Sequence, residues 1–267
     1  MFKKPYTQAC VIEDITEITR FKQKVQQDPN LRLVEPLGNS PTFAAKPKWI
    51  EYSPTIWVVS PGGSGSSLLY DNMSPSCPYA SIKSHSHHFK WKGKNCIMSA
   101  EGGGYMWEIE ENDKIIYLYA HPLNVLLSFY KKIELGPHSW TEGDHHYIEL
   151  LCNTNEPFME TYLYKDVLNL ERHLDCWWRT RDFDILCIKY EHLHEHIDNI
   201  KTFIEGGRAY EREINFKLPP KRKRSTNWKA HPQKELLLKT YASVIEKYEQ
   251  KPDYELFIGD PLYKNVF

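Results

Sequence analysis

Residues 60–67, SPGGSGSS, collect the groups best suited to hold an anion. Before them, Ile56 to Val59 read as a short buried strand. After them, Leu68, Leu69 and Tyr70 open a helix. A strand, a glycine-rich turn and a helix amino terminus point backbone amides inward and add the positive end of the helix dipole, so phosphate or sulfate fits there. Gly62, Gly63, Ser64, Gly65, Ser66 and Ser67 are the candidate ligating positions. Gly and Ser also build ordinary loops, and it is the setting between a β-branched strand and an apolar helix start that points to an anion. Further on, Lys83 precedes the polar, histidine-rich stretch SHSHHFKWKGKN. The ordinary pKa of imidazole suits proton removal near neutrality. His85 follows directly on a strand candidate, and ligands gather at the carboxyl ends of parallel strands. Position therefore favours His85 as a general base. His87 and His88 stay open as alternatives, and a surface histidine in a polar loop is the ordinary explanation for all three.

Other chemistry-bearing residues carry a plain reading by themselves. Ser128, inside a helix, reads as a serine bonded to its own backbone. Tyr190 reads as a buried strand-end aromatic. Lys221, Arg222, Lys223 and Arg224 form a basic run, read as solvated loop charge or a nuclear-localisation-like patch. His145, His146, Asp144 and Glu149 lie close in sequence, but adjacent histidines point to different faces of a helix, so a solvated face is read and no metal site. His192, His194 and His196 fall in a turn and helix start.

The elements that must position these residues alternate. An amphipathic helix is predicted over 12–27, with Ile12, Ile15, Ile18, Phe21 and Val25 on one face. Residues 28–54 hold five prolines and read as an irregular lead-in. The strand Ile56 to Val59 and its loop follow, then a short crossover helix and a strand over 79–83. Short strands are predicted at 94–98 and 105–109 around Glu101 to Gly104. Lys114 to Tyr119 is a second buried strand, followed by a helix from Pro122 to about Ile133. Helices are predicted at 143–152 and 156–180, and a third buried strand at Asp184 to Tyr190. A helix over 193–205, the basic loop and a last helix over 233–249 complete the order. Strands alternating with helices predict an α/β fold, a central parallel sheet with helices on both faces. No repeat or flexible linker divides the chain, so a single domain over 1–267 is expected, with 1–50 as lead-in.

The chain has 267 residues and a formal net charge of −1, which gives no global pull toward nucleic acid or a membrane surface. No run approaches the roughly 18 apolar residues of a membrane span. MFKKPYTQAC has no long apolar run after its lysines, so no signal peptide is read. The six cysteines, Cys10, Cys77, Cys96, Cys152, Cys176 and Cys187, form no CxxC pair or zinc spacing. Reduced thiols in a cytoplasmic protein are expected.

Several of these stretches, in order, resemble the PAPS-dependent sulfotransferases, a P-loop-type three-layer α/β/α family. Ser64-Gly65-Ser66-Ser67-Leu68-Leu69 is similar to its 5′-phosphosulfate loop, a basic residue followed by SGTT or SGSS. Ile82-Lys83-Ser84-His85 is similar to the strand end at which cytosolic members carry Lys-Thr-His. KIIYLYAHPLNVLLSFYKK, residues 114–132, resembles the 3′-phosphate segment KIIYVxRNPxDVxxSxY, with Ser128 at the phosphate-binding serine. Ile188 to Leu193 resembles the strand ending in YEDL, which places Tyr190 at the adenine-contacting tyrosine. KRKRSTNWKAHP, residues 221–232, resembles the RKGxxGDWKNHF loop that closes over the nucleotide, and makes 217–232 a basic lid. The likeness spans roughly 54–250.

That resemblance implies transfer of a sulfuryl group from PAPS, with PAP as product, to a hydroxyl or amine on a small molecule, glycan or peptide. His85 would be the base, with Lys83 beside the sulfuryl oxygens, and no metal is implied. Departures stand against it. Gly63 occupies the place of the family's Lys or Arg, Ala120 that of its 3′-phosphate Arg, with His121 beside it, and Lys223 and Thr226 replace glycines. Each missing charge-assisted contact is worth about 1.5–3 kcal/mol. Lys83, His121, Lys221, Arg222, Lys223 and Arg224 are the candidates to compensate. The alternative is a catalytically impaired relative that binds a nucleotide, a sulfated ligand or a protein. A P-loop kinase is disfavoured, because GxxxxGK[ST] is absent and no lysine follows the loop. The short link before Tyr79 removes much of the wall that family members use for acceptors.

Overall fold

The computed structural model describes residues 54–85, 88–91, 94–98, 106–110, 112–134, 162–180, 182–206, 214–221 and 227–259. The predicted helices at 12–27 and 143–152, most of the lead-in, His87 and Arg222 to Arg224 lie outside them.

The three apolar runs form β1 (Ile56–Val59), β6 (Lys114–Tyr119) and β7 (Asp184–Lys189). They are the middle of a five-stranded sheet of order β2-β1-β6-β7-β8, in which β2 is Ser81–Ser84 and β8 is Tyr254–Phe257. Four strands run parallel, and β8 pairs antiparallel with β7. Strands buried on both faces read as continuous apolar runs, which is why these three are legible. Their alternate residues feed two cores. Ile56, Val58, Ile116, Leu118, Leu186 and Ile188 pack with Leu69 of α1 (Ser66–Met73) and Ile200 and Ile204 of α4 (Ile197–Glu205). Trp57, Val59, Tyr117, Ile185 and Cys187 pack on the other face, with Leu174 and Trp177 of α3 (Leu170–Arg179) and Tyr248 of α6 (Ala242–Gln250). Helix α2 (Pro122–Glu134) joins a third cluster with Leu170 of α3, Val244 of α6 and Leu237 of α5 (Lys234–Thr240).

Register fixes which residues share an edge. Val59 lies opposite Ser84 on one side and Tyr117 on the other, and Tyr119 lies opposite Lys189. The residues after β1, β2, β6 and β7 therefore leave the sheet along its carboxyl edge. From β1 the chain turns through α1 to β2, and from β6 it leaves toward the other flank. The strand order reverses between β1 and β6, where open α/β sheets form a crevice. At the opposite edge, buried Asp113 accepts from Thr55 N at 2.8 Å and Trp57 Nε1 at 3.0 Å, tying β1 to the start of β6.

Several predicted elements are corrected. The strand predicted at 79–83 is Ser81–Ser84: Tyr79 lies in a bend, and Ala80 gives only its oxygen, which accepts from Ile56 N at 2.8 Å. The short strands predicted at 94–98 and 105–109 are present as Lys94–Met98 and Met106–Glu108, outside the main sheet. As β4 and β5 they form a separate antiparallel sheet with β3 (Phe89–Trp91). Residues 162–169 are turns, and α3 begins only at Leu170. The strand predicted through Tyr190 stops at Lys189. Residues Tyr190–His196 form a 3-10 turn before α4. The last helix is two, α5 and α6, broken at Tyr241, whose hydroxyl lies 2.9 Å from both Tyr162 O and Lys165 O. Strand β8 was not predicted, so the sheet is mostly and not wholly parallel.

Candidate functional site

The loop after β1 is shaped by left-handed backbone. Gly62, Gly63 and Gly65 have φ of 76°, 59° and 78°, a region glycine enters without penalty. Two buried serines brace the turn. Gly62 N donates to Ser60 Oγ at 3.1 Å, and Ser64 Oγ donates to Gly62 O at 3.0 Å. Gly65 is the N-cap of α1 and offers no side-chain cap, no acidic residue sits in the first turn, and the first helical bond is Leu69 N to Gly65 O at 3.0 Å. Helix geometry leaves the amides before Leu69 without an intrahelical acceptor. Ser67 is exposed, so this amino end opens to solvent.

Three neighbours converge on that end. A Cβ added at Gly63 would stand 3.1 Å from Ser128 Cβ and 3.3 Å from Ser128 Oγ. Ser128 of α2 is thus at the loop. A Cβ at Gly65 would fall 2.1 and 2.3 Å from two ring carbons of Tyr190, so Tyr190 covers the last turn of the loop. Lys83, at the end of β2, donates from Nζ to Ser67 Oγ at 3.2 Å. Close packing and positive φ together strain any side chain at position 63 in this backbone. The cation at α1 comes instead from the adjacent strand.

His85 also meets the loop. Its Nδ1 is 3.0 Å from Ser60 O and 3.2 Å from Ser60 Oγ. A carbonyl oxygen only accepts, so Nδ1 carries the proton and Nε2 is the basic nitrogen of the neutral ring. His88 is placed elsewhere. Its Nδ1 lies 3.0 Å from Thr180 Oγ1, and its ring is 5.4 Å from that of Trp177.

The β6–β7 side is built differently. Ala120 is buried and lines a cavity of about 20 Å³ beneath Pro61, with Tyr119, Val125 and Tyr248. The His121 ring stacks on Trp228 at 4.9 Å and 11°. Its backbone N donates to Glu191 Oε1 at 3.3 Å, while Tyr248 donates its hydroxyl to Glu191 Oε2 at 3.0 Å. Lys221 donates to Glu191 O at 2.5 Å, which holds the start of the basic run against the strand end. Lys189 is nearly buried, 3.5 Å from Asp253 and over the Tyr248 ring at 4.8 Å.

Sequence reading assigned no separate role to Ser60, Glu191 or His173. Their long-range partners, His85 for Ser60, His121 and Tyr248 for Glu191 and Tyr117 for His173, are set by the fold. The turn histidines hold structure: His194 bonds Pro219 O at 2.9 Å, and His196 stacks on Tyr254 at 5.1 Å. Cys77, Cys176 and Cys187 are in no disulfide, and burial pushes the Cys77 thiol up to about 12. Among the described residues, no group of three or more His, Cys, Asp or Glu could hold a metal ion. Among them too, no helix is long and apolar enough to cross a membrane. No protein-family model matches the chain, and no curated protein matches it.

Proposed function

We propose that the protein is a divergent sulfotransferase of the P-loop sulfotransferase fold. It transfers the sulfuryl group of PAPS to a hydroxyl or amine acceptor. One observation carries this reading: Ser128, Tyr190 and Lys83 come from three different elements and meet the loop within its last five residues, Gly63 to Ser67. Glycines that let Ser128 and Tyr190 approach the loop backbone, and a helix amino end without a side-chain cap, suit a tetrahedral anion.

The chain's own residues would divide the work. The amides of the α1 amino end and Lys83 would hold the sulfuryl and 5′-phosphate oxygens, and Ser128 the 3′-phosphate. His85 Nε2 would take the acceptor's proton. The acceptor oxygen or nitrogen bonds to sulfur as the bond from sulfur to the 5′-phosphate oxygen breaks, and PAP leaves with that oxygen. Alignment and charge stabilisation do most of such a reaction.

Calorimetry with PAP tests the reading. Micromolar binding that is lost on Ser128→Ala combined with Lys83→Met supports it, and absence of any binding overturns it. His85→Ala should then lower turnover by about 10²–10⁴ and leave PAP affinity unchanged. A second reading has its own support: Gly63 and Ala120 leave two places without a fixed cation, which suits a binding protein that has given up transfer. Binding of PAP without sulfate release from PAPS would favour it.

A further inference from the structure

Helix α3 grips the chain that carries His85. His173 is wholly buried, and its Nε2 is 3.2 Å from the backbone oxygen of His85. That oxygen only accepts, so Nε2 is the protonated nitrogen. Nδ1 then accepts from the Tyr117 hydroxyl at 3.1 Å, and the two rings stack at 5.6 Å and 26°. One turn along, Cys176 Sγ accepts from His88 N at 3.3 Å. Thr180, just past the helix, has Oγ1 3.0 Å from His88 Nδ1 and 2.6 Å from Cys176 O. His173, Cys176 and Thr180 follow the i, i+3, i+7 spacing of a single helix face. Residues 85 and 88 are thus both held by this one face.

We propose that His173 is a positioning residue. With Cys176 and Thr180 it fixes the backbone at His85, so that the imidazole meets Ser60 through Nδ1 and keeps Nε2 as its basic nitrogen. This rests on His85 being the proton acceptor. The need is physical. Ser84 is the last residue of an edge strand, and ladder pairing with β1 ends there. Past Ser84, whose oxygen still accepts from Ser60 N at 3.1 Å, the His85 carbonyl is met by α3. An error of about 1 Å in a reacting group costs on the order of 10²-fold in rate. The hold comes from a helix 88 residues away in sequence. Tyr117, in the middle of the sheet, sets the tautomer that lets His173 donate.

The test uses His173→Leu, His173→Gln and Thr180→Val, with nitrogen-resolved NMR of the His85 ring, release of sulfate from PAPS with water as acceptor, and calorimetry with PAP. In His173→Leu the His85 ring should pass from the Nδ1–H form to a mixture of tautomers. Its kcat should fall about 10- to 100-fold, with the Kd for PAP unchanged within about twofold. The amide of His173→Gln reaches the same oxygen and should restore most of both. Thr180→Val should lose about threefold in kcat. Wild-type nitrogen shifts for His85 in His173→Leu overturn the proposal. Should that variant not fold, wild-type shifts in Thr180→Val overturn it. If PAP does not bind at all, the proposed function falls, and the nitrogen shifts still decide whether α3 orients His85.

Discussion

On the β2 flank of the loop, Lys83 and His85 reach Ser67 and Ser60 directly. On the β6–β7 flank, the positions nearest the strand ends hold Ala120, His121 and Tyr190, and the polar hub is a carboxylate, Glu191. One flank presents a cation and an imidazole, the other stacked rings around a satisfied acid. A ligand held between them would be recognised by two separable terms. A point charge on the first flank is weakened by salt. Stacking on the second needs a planar partner and is nearly indifferent to salt.

The largest effect is expected where the flanks meet. Gly65 has φ of 78°, and a Cβ there would be 2.1 Å from the Tyr190 ring. Gly65→Ala should cost about 3 kcal/mol of stability, from backbone strain and overpacking together. Urea unfolding measures it, and an unchanged midpoint would mean that Tyr190 does not rest on the loop. Lys83→Met comes next. It should weaken inorganic pyrophosphate and PAP alike, by about 1.5–3 kcal/mol or roughly 10- to 100-fold, and flatten the salt dependence of both. Trp228→Ala should act on the other flank alone. It would weaken PAP by about 1 kcal/mol, roughly fivefold, and leave pyrophosphate untouched. Equal loss of both ligands in Trp228→Ala would erase the distinction between the flanks.

The two flanks were not equally legible. The strands that end at the site were, because Ile56 to Val59 and Ile115 to Tyr119 are buried on both faces and leave an uninterrupted apolar signature. The loop glycines could be singled out because the strand–turn–helix around them is local, whereas Ser128 was singled out only through the resemblance of residues 114–132. The division of α5 from α6 was hidden, since no Gly or Pro marks Tyr241, and contact with residues 162–165 sets the break. Strand β8 was hidden too. Tyr254 and Leu256 form too short a pattern to announce a strand, and pairing with β7 across the fold creates it. His85 was singled out by its position after a strand, and what separates its ring from that of His88 is that one meets Ser60 and the other Thr180, which no local pattern encodes.

The smallest expected effect concerns the link between the helices that serve the two flanks. Lys247 of α6 lies 2.7 Å from Glu171 and 2.5 Å from Asp175, both on α3. Helix α3 holds His85, and α6 carries Tyr248, which bonds Glu191. The hydrogen bond from Lys247, and after it that from Ser243, holds the Glu171 carboxyl below its ordinary range. Bonds to Asp175 and then Glu171 raise the Lys247 ammonium. A lowered carboxylate contributes stability that is present above its ordinary pKa and lost as pH falls through the folded value. A raised ammonium contributes stability that is present below its ordinary pKa and lost as pH rises through the folded value. The pair therefore acts across the neutral range and fades at both ends. With side chains about a third exposed at Lys247 and Glu171, Lys247→Met should cost only about 0.5 kcal/mol near neutrality. The gap between variant and wild type should close below the carboxylate range and again above the ammonium range. Thermal melts across pH check the sign: a gap that widens in acid would show that the pair does not bind α3 to α6.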